Sequence, residues 1–145
     1  MRRCIRRLST AGRAGATLVF LVAASGLLFA GAMAQDGSER VRGFSTVDSA
    51  RLVAMLKSKD FFFVNVHIPY EGEIAGTDAH IAFDRIAENL GGFPSDKGAK
   101  VVLYCMSDRM SGIAAEQLAR LGYTNVSHLL GGMIAWEAGG NSLTK

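Results

Sequence analysis

The residues best placed for chemistry lie in one stretch, Lys100 to Leu121 (KVVLYCMSDRMSGIAAEQLARL). An apolar, β-branched run from Val101 to Tyr104 stops at Cys105. Met106, Ser107, Asp108, Arg109, Met110 and Ser111 follow, and then an Ala-, Leu- and Glu-rich segment with helical spacing. Strand, short loop and helix in that order aim backbone N–H groups and a helix N-terminus at one point in space. Cys105 sits at that point. Such a setting favours the thiolate, the nucleophilic form of cysteine, over a cradle the size of an anion. On the local pattern alone, the alternative is a buried strand-end thiol acting as a small hydrophobe.

A cysteine so placed needs a sheet behind it, and the flanking chain supplies the signals of one. Val41 to Phe44 reads as a short first strand. Ser45-x-x-Asp48 has the form of a capping box, and Val47, Ala50, Val53, Ala54 and Leu56 recur at helical intervals to about Lys57. Phe61 to Val66 (FFFVNV) is a nearly continuous apolar run, the pattern of a parallel strand covered on both faces. Ile81 to Leu90 has room for a short helix before Gly91-Gly92. After the cysteine loop, Ile113, Ala114, Gln117, Leu118 and Leu121 put a stripe on one helix face, and Gly122 is a stop. Val126 to Leu130 then reads as a strand. Gly131-Gly132 opens a last short helix, closed by Gly139-Gly140, and 141–145 is a tail. Alternating strands and helices predict a parallel α/β sheet. Such sheets bind ligands outside the carboxyl ends of their strands, where Cys105 ends one strand and His67 another.

Charge is unevenly spread over the 145 residues. Five of the sixteen basic residues (Arg2, Arg3, Arg6, Arg7 and Arg13) fall in the first 34, which hold no acid. Residues 35–145 therefore carry eleven basic against thirteen acidic side chains, a net charge of −2. The domain has no basic stripe to neutralise phosphates, and nucleic acid is not an expected partner. Residues 1–34 have the form of an export signal: an arginine-rich start, an uncharged stretch from Ala14 to Ala34, and Ala32-Met33-Ala34 as a small-x-small cleavage site. Cleavage predicts a periplasmic or secreted domain after a flexible start at 35–40. An uncleaved anchor holding the domain outside the cytoplasm is the alternative, the only case implying a membrane. Of the two cysteines, Cys4 falls within the leader. Cys105 would then be a lone thiol in an exported protein, a residue to read as reactive.

The segment from His67 to Ala82 is acidic and punctuated by Pro69, Gly72 and Gly76. His67 and His80 stand there with Glu71, Glu73 and Asp78, but no HxxxH, CxxC or HExxH spacing is present. Solvated carboxylates and structural histidines are the expectation, with no metal. Tyr70 and Trp136 are read as packing aromatics.

The loop CMSDRMS (Cys105 to Ser111) resembles the active-site loop of single-domain rhodaneses, written C-R-S-G-R-M-S or C-x-x-G-x-R-S. GYTNV (Gly122 to Val126) with LGGMIAW (Leu130 to Trp136) resembles the closing strand and L-x-G-G-x-x-A-W segment of that family. NVHIP (Asn65 to Pro69) through His80-Ile81 is similar to its D-V-R…G-H-I-P region in a variant form. The resemblance covers residues 41–140. It implies a five-stranded parallel sheet flanked by helices and a sulfurtransferase of the thiosulfate:cyanide class. In such an enzyme Cys105 would carry sulfur as a covalent persulfide with no separate cofactor. The loop from Met106 to Ser111 would bind the anion, and His67 is a candidate accessory group at its mouth. The implied partners are a small sulfur donor and a thiophilic acceptor such as cyanide or a thiol, a protein thiol included.

Three departures mark this chain. Asp108 stands where the family places Gly; Asp tolerates left-handed backbone, yet its carboxylate would oppose a dianion unless turned outward. Arg109 lies four residues after Cys105, and Met110 holds the next position, where many members have arginine. Asn65 and His67 replace the Asp and Arg of the D-V-R pattern, removing an ion pair. Cysteine phosphatases need arginine six residues after cysteine to clamp phosphate; Ser111 is there, which disfavours that activity. A catalytically weak or inactive rhodanese-like module that binds an anion or a protein partner is the stronger alternative.

Overall fold

The computed structural model describes residues 40–41 and 43–145, with side chains from Gly43 onward. The predicted leader and its cleavage site lie outside the described residues. Among them the elements run β1 (Arg40–Val41), β2 (Phe44–Val47), α1 (Ser49–Leu56), β3 (Phe62–Asn65), β4 (Glu73–Ile74), β5 (Ala79–His80), β6 (Val101–Tyr104), α2 (Arg109–Arg120), β7 (Val126–Leu129), α3 (Gly132–Ala138) and β8 (Leu143–Thr144). Among the described residues, no helix is long and apolar enough to cross a membrane.

The main sheet has the order β1-β2-β7-β6-β3-β5. Its five strands from β2 to β5 pair in parallel, as expected, and β1 adds an antiparallel edge on β2. The central strand β6 is buried at every position. Successive side chains of a strand face opposite ways, so Val101, Leu103 and Cys105 join one core with Ala114, Ala115 and Leu118 of α2. Val102 and Tyr104 join the other, with Leu52 of α1 and Met133 and Trp136 of α3. Cover on both faces is why this strand reads as an unbroken apolar run.

Several local expectations are corrected. Ser45 lies within β2, and the cap of α1 is Asp48, whose Oδ1 accepts from the Arg51 N–H at 2.7 Å. Residues 81–89 form turns rather than a helix, followed by a single 3-10 turn at Leu90–Gly92. The tail at 141–145 contains β8, which pairs antiparallel with β4. Helix α2 stops as read: Gly122 takes φ 91°, and the N–H groups of Gly122 and Tyr123 return to Ala119 O and Leu118 O.

Tyr104 ties the end of β6 to the loop beyond β3. Its buried hydroxyl accepts the Ile74 N–H at 3.0 Å and shares a hydrogen bond with Thr77 Oγ1 at 2.6 Å. Burial pushes its ionisation from 10.0 up to about 12, against the opposing pull of the Thr77 and Ile74 bonds. The folded state therefore holds a proton that the unfolded chain releases, so this contribution is intact below pH 10 and lost on rising to about 12. Tyr104→Phe is expected to cost ~1–3 kcal/mol at neutral pH by stranding the Ile74 N–H. Urea midpoints measured from neutral to strongly alkaline pH should show the variant and the parent converging as this tyrosine titrates.

Candidate active site

Cys105 is the first residue after β6 and is 1% exposed. Its Sγ lies 3.2 Å from Ser107 O and 3.5 Å from Ser111 Oγ, and the Ser111 N–H points at the sulfur at 3.4 Å. Helix α2 begins at Arg109, earlier than its Ala-rich composition suggests, so Arg109, Met110 and Ser111 are its first turn. The first N–H groups of a helix have no intrahelical acceptor; that of Ser111 goes to the thiol. Among the described residues, the N–H groups of Met106 through Met110 donate to no protein acceptor.

The loop is clamped from α3. The N–H groups of Met133 and Ile134 donate to Cys105 O at 2.9 Å and Met106 O at 3.1 Å. Gly131 and Gly132 make this approach feasible, since both have positive φ and Gly132 packs against the loop carbonyls. Asp108 is the N-cap of α2 by position, but its side chain makes no bond to that helix. Its Oδ1 instead accepts from the Gly131 N–H. The backbone at Asp108 is right-handed, φ −110° and ψ −27°, so the left-handed turn invoked to accommodate Asp is not required.

The other candidate residues fall into two groups. Met106 and Met110 pack their side chains against opposite cores, which leaves their backbone N–H groups for the loop. Arg109 is exposed, and its guanidinium has no carboxylate partner among the described residues. His67 does not bond to the cysteine loop. Its Nε2 meets Glu71 Oε2 at 2.9 Å, its N–H donates to Asn65 Oδ1, and its carbonyl meets His80 Nε2 at 2.7 Å. Asp78 bonds the Phe63 N–H and Lys59. Among the described residues, no three His, Cys, Asp or Glu side chains gather as metal ligands.

One neighbour of the thiol escaped the sequence reading. His128, 6% exposed on β7, places Nδ1 3.1 Å from Ser111 Oγ. Burial holds its imidazolium below the usual histidine range, while the Asp108 carboxylate partly restores it. The available signal was parity: His128 lies two residues after Val126 and shares its face, and the Val126 side chain belongs to the α2-side core.

The sequence matches the rhodanese-like domain family over residues 58–139, which contain the cysteine loop, its α3 clamp and four strands of the parallel sheet. The chain belongs to that family. Rhodanese-like structures also resemble it in three dimensions. A rhodanese-like domain protein from Staphylococcus aureus is 27% identical with TM-score 0.55, covering 63% of this chain and 89% of that one. A rhodanese-related protein from Thermoplasma volcanium shares the fold at 24% identity and TM-score 0.58, covering 68% and 95%. Among curated relatives, an uncharacterized Synechocystis protein is 37% identical over 79 residues, 54% of this chain and 38% of that one. The probable adenylyltransferase/sulfurtransferase MoeZ of Mycobacterium tuberculosis is 29% identical over 113 residues, 74% of this chain and 28% of that protein. The rhodanese-like domain here thus matches well under half the length of either curated relative.

Proposed function

We propose that this domain is a sulfurtransferase that carries sulfane sulfur on Cys105. The observation that supports this reading most is the seat of Sγ at the first turn of α2, with the Ser111 N–H and Oγ beside it and free loop N–H groups from Met106 to Met110. In the proposed cycle the Cys105 thiolate attacks the outer sulfur of a thiosulfate-like or persulfide donor. A new S–S bond forms, the donor's S–S bond breaks, and its electron pair leaves with sulfite or the donor thiol. The terminal sulfur of the persulfide is then taken by a thiophilic acceptor, cyanide or a thiol, which returns Cys105 to thiolate. Both cysteine states are anions, which N–H groups and a helix N-terminus stabilise. Arg109 at the rim is assigned to the incoming anion. Asp108 is held by Gly131 and makes no bond to the first-turn N–H groups.

The test incubates the full chain with thiosulfate or a small-molecule persulfide, then measures the mass of the Cys105 peptide and thiocyanate formed with cyanide. One added sulfur on that peptide, absent from Cys105→Ser, is the expected result. No added sulfur from either donor would leave the anion- or protein-binding module as the better reading. We also place the domain outside the cytoplasm, periplasmic or secreted, on the form of residues 1–34. Fractionation with N-terminal sequencing tests this, and an intact leader on membrane-bound protein would favour the anchored alternative.

A further inference from the structure

Among the described residues, His128 is the one buried titratable side chain near the thiol for which the proposed sulfur chemistry has no use. It sits in the middle of a packed strand, paired through the backbone with Thr46 on one side and Leu103 on the other. An isolated imidazole in such a place costs desolvation unless its nitrogens are partnered. Its Nδ1 faces Ser111 Oγ at 3.1 Å, and that oxygen stands 3.5 Å from Cys105 Sγ. Its Nε2 has no partner among the described residues, yet it is not among their sealed, unpartnered atoms, so it opens towards solvent. The ring edge is also set against Phe44 of β2, in a T-shaped contact at 5.5 Å.

We propose that Cys105, Ser111 and His128 form a proton relay in which His128, acting through the Ser111 hydroxyl, takes up the thiol proton when the thiolate is needed. The S–H has two acceptors, Ser107 O at 3.2 Å and Ser111 Oγ at 3.5 Å; in the relay it turns to Ser111 Oγ, and the Ser111 O–H donates to the neutral His128 Nδ1. On ionisation the S–H bond breaks and its proton joins Ser111 Oγ, while the original hydroxyl proton moves to Nδ1. The thiolate then accepts from the Ser111 O–H and N–H, and the imidazolium can release a proton from Nε2 to water. Only hydroxyl rotation and two short transfers are involved. Ser111 Oγ also has Asp108 O at 3.2 Å as a second acceptor, a branch from which it can swing to the sulfur.

The groups facing His128 are consistent with this role. From the loop comes the Asp108 carboxylate, which favours the charged ring; from α2, Ser111 and Gly112; from β2, Phe44 and Thr46; from β6, Leu103. Cys105 is the other titratable group, one hydroxyl away. Because burial disfavours the charged ring, His128 rests neutral around physiological pH and is free to accept.

The inference concerns the thiol whose sulfur chemistry was proposed above, but its test needs no sulfur donor, so the two can fail separately. Iodoacetamide labelling of the full chain, followed at the Cys105 peptide across pH, should give a two-step profile in the parent protein. The lower step belongs to loss of the imidazolium proton, which frees His128 to accept from the thiol, and the upper to loss of the remaining proton from the pair. His128→Asn keeps a hydrogen-bonding group near the Nδ1 position but cannot titrate. It should collapse the profile to a single step and slow labelling roughly tenfold or more at about pH 6. Ser111→Ala should do the same, and adding His128→Asn to it should cost nothing further. A His128→Asn profile that overlays the parent would overturn the relay and leave only a hydrogen bond. A measurement without variants at these positions guards against misfolding. By NMR, the His128 ring signals should show a second inflection tracking Cys105 ionisation, and alkylation of Cys105 should remove it. Ring signals indifferent to alkylation would also overturn the relay.

Discussion

Gly132→Ala is expected to silence the proposed sulfur transfer as completely as Cys105→Ser, although position 132 bears no reactive group. A Cβ there would sit well inside 3.0 Å of Cys105 O, Ser107 O and the Met106 carbonyl carbon, a separation that real Cβ atoms do not show. These are all backbone atoms of the cysteine loop, so no side-chain rotation relieves the overlap. The left-handed backbone at Gly132, φ 56°, adds ~1–2 kcal/mol for any L side chain. The loop must therefore lift away from α3, breaking the Met133 and Ile134 N–H bonds to Cys105 O and Met106 O. Once it does, the thiol, the Ser111 N–H and Ser111 Oγ no longer share one geometry. Gly140→Ala is the control. It has a similar left-handed conformation, φ 81°, with nothing within 4 Å of the new Cβ. It should lose only the conformational cost in a urea titration and keep its sulfur-transfer rate. Equal activity losses in the two variants would mean that global instability, rather than the α3 clamp, controls the site.

What could be read from residue order divides along physical lines. The strands FFFVNV and VVLY were legible because cover on both faces leaves a continuous apolar run that no helix period explains. The cysteine at a strand end was legible because the strand stops there and a helix follows. The glycine pair at 131–132 was legible as the opening of a helix, but its approach to the carbonyls of the cysteine loop is set by tertiary packing. Less was visible where tertiary pairing makes the structure. Strands β4 and β8 are two residues each, too short for any periodicity, and exist because Glu73 meets Thr144 and Ile74 meets Leu143 across the chain. The segment 81–90 has helical composition, but it is pinned at both ends. The Ile81 and Phe83 N–H groups bond Asn65 O and Val66 O, and the Asn89 side chain takes Arg85 O. His128 is the instructive omission at the site. A histidine inside V-S-H-L looks like a surface residue of a strand until one asks which of its neighbours point inward.

Asn65→Asp, which would restore the family's acidic residue at the end of β3, is expected to destabilise the domain by ~3–5 kcal/mol at about pH 7, the cost of an uncompensated buried charge. Asn65 is fully buried and acts as a two-sided bridge: Nδ2 donates to Gly72 O at 2.9 Å, and Oδ1 accepts the His67 N–H at 2.9 Å. A carboxylate could keep the second bond, but its other oxygen would face the Gly72 carbonyl, acceptor against acceptor. The family pattern balances its acid with an arginine two residues on; here that position is His67, whose ring is held by Glu71. The new carboxyl would therefore ionise less readily folded than unfolded. Its folded-state pKa would stand above the unfolded value of about 3.9, with the penalty absent below that value and growing as pH rises towards the folded one. Urea midpoints should show the variant close to the parent in acid, where a protonated carboxyl can donate to Gly72 O, and progressively weaker towards neutrality. Pairing the change with His67→Arg should recover much of the neutral-pH loss, because the cation is what this version of the site lacks. A variant as stable as the parent at neutral pH would mean that water reaches position 65, and that the end of β3 is more open than its hydrogen bonds indicate.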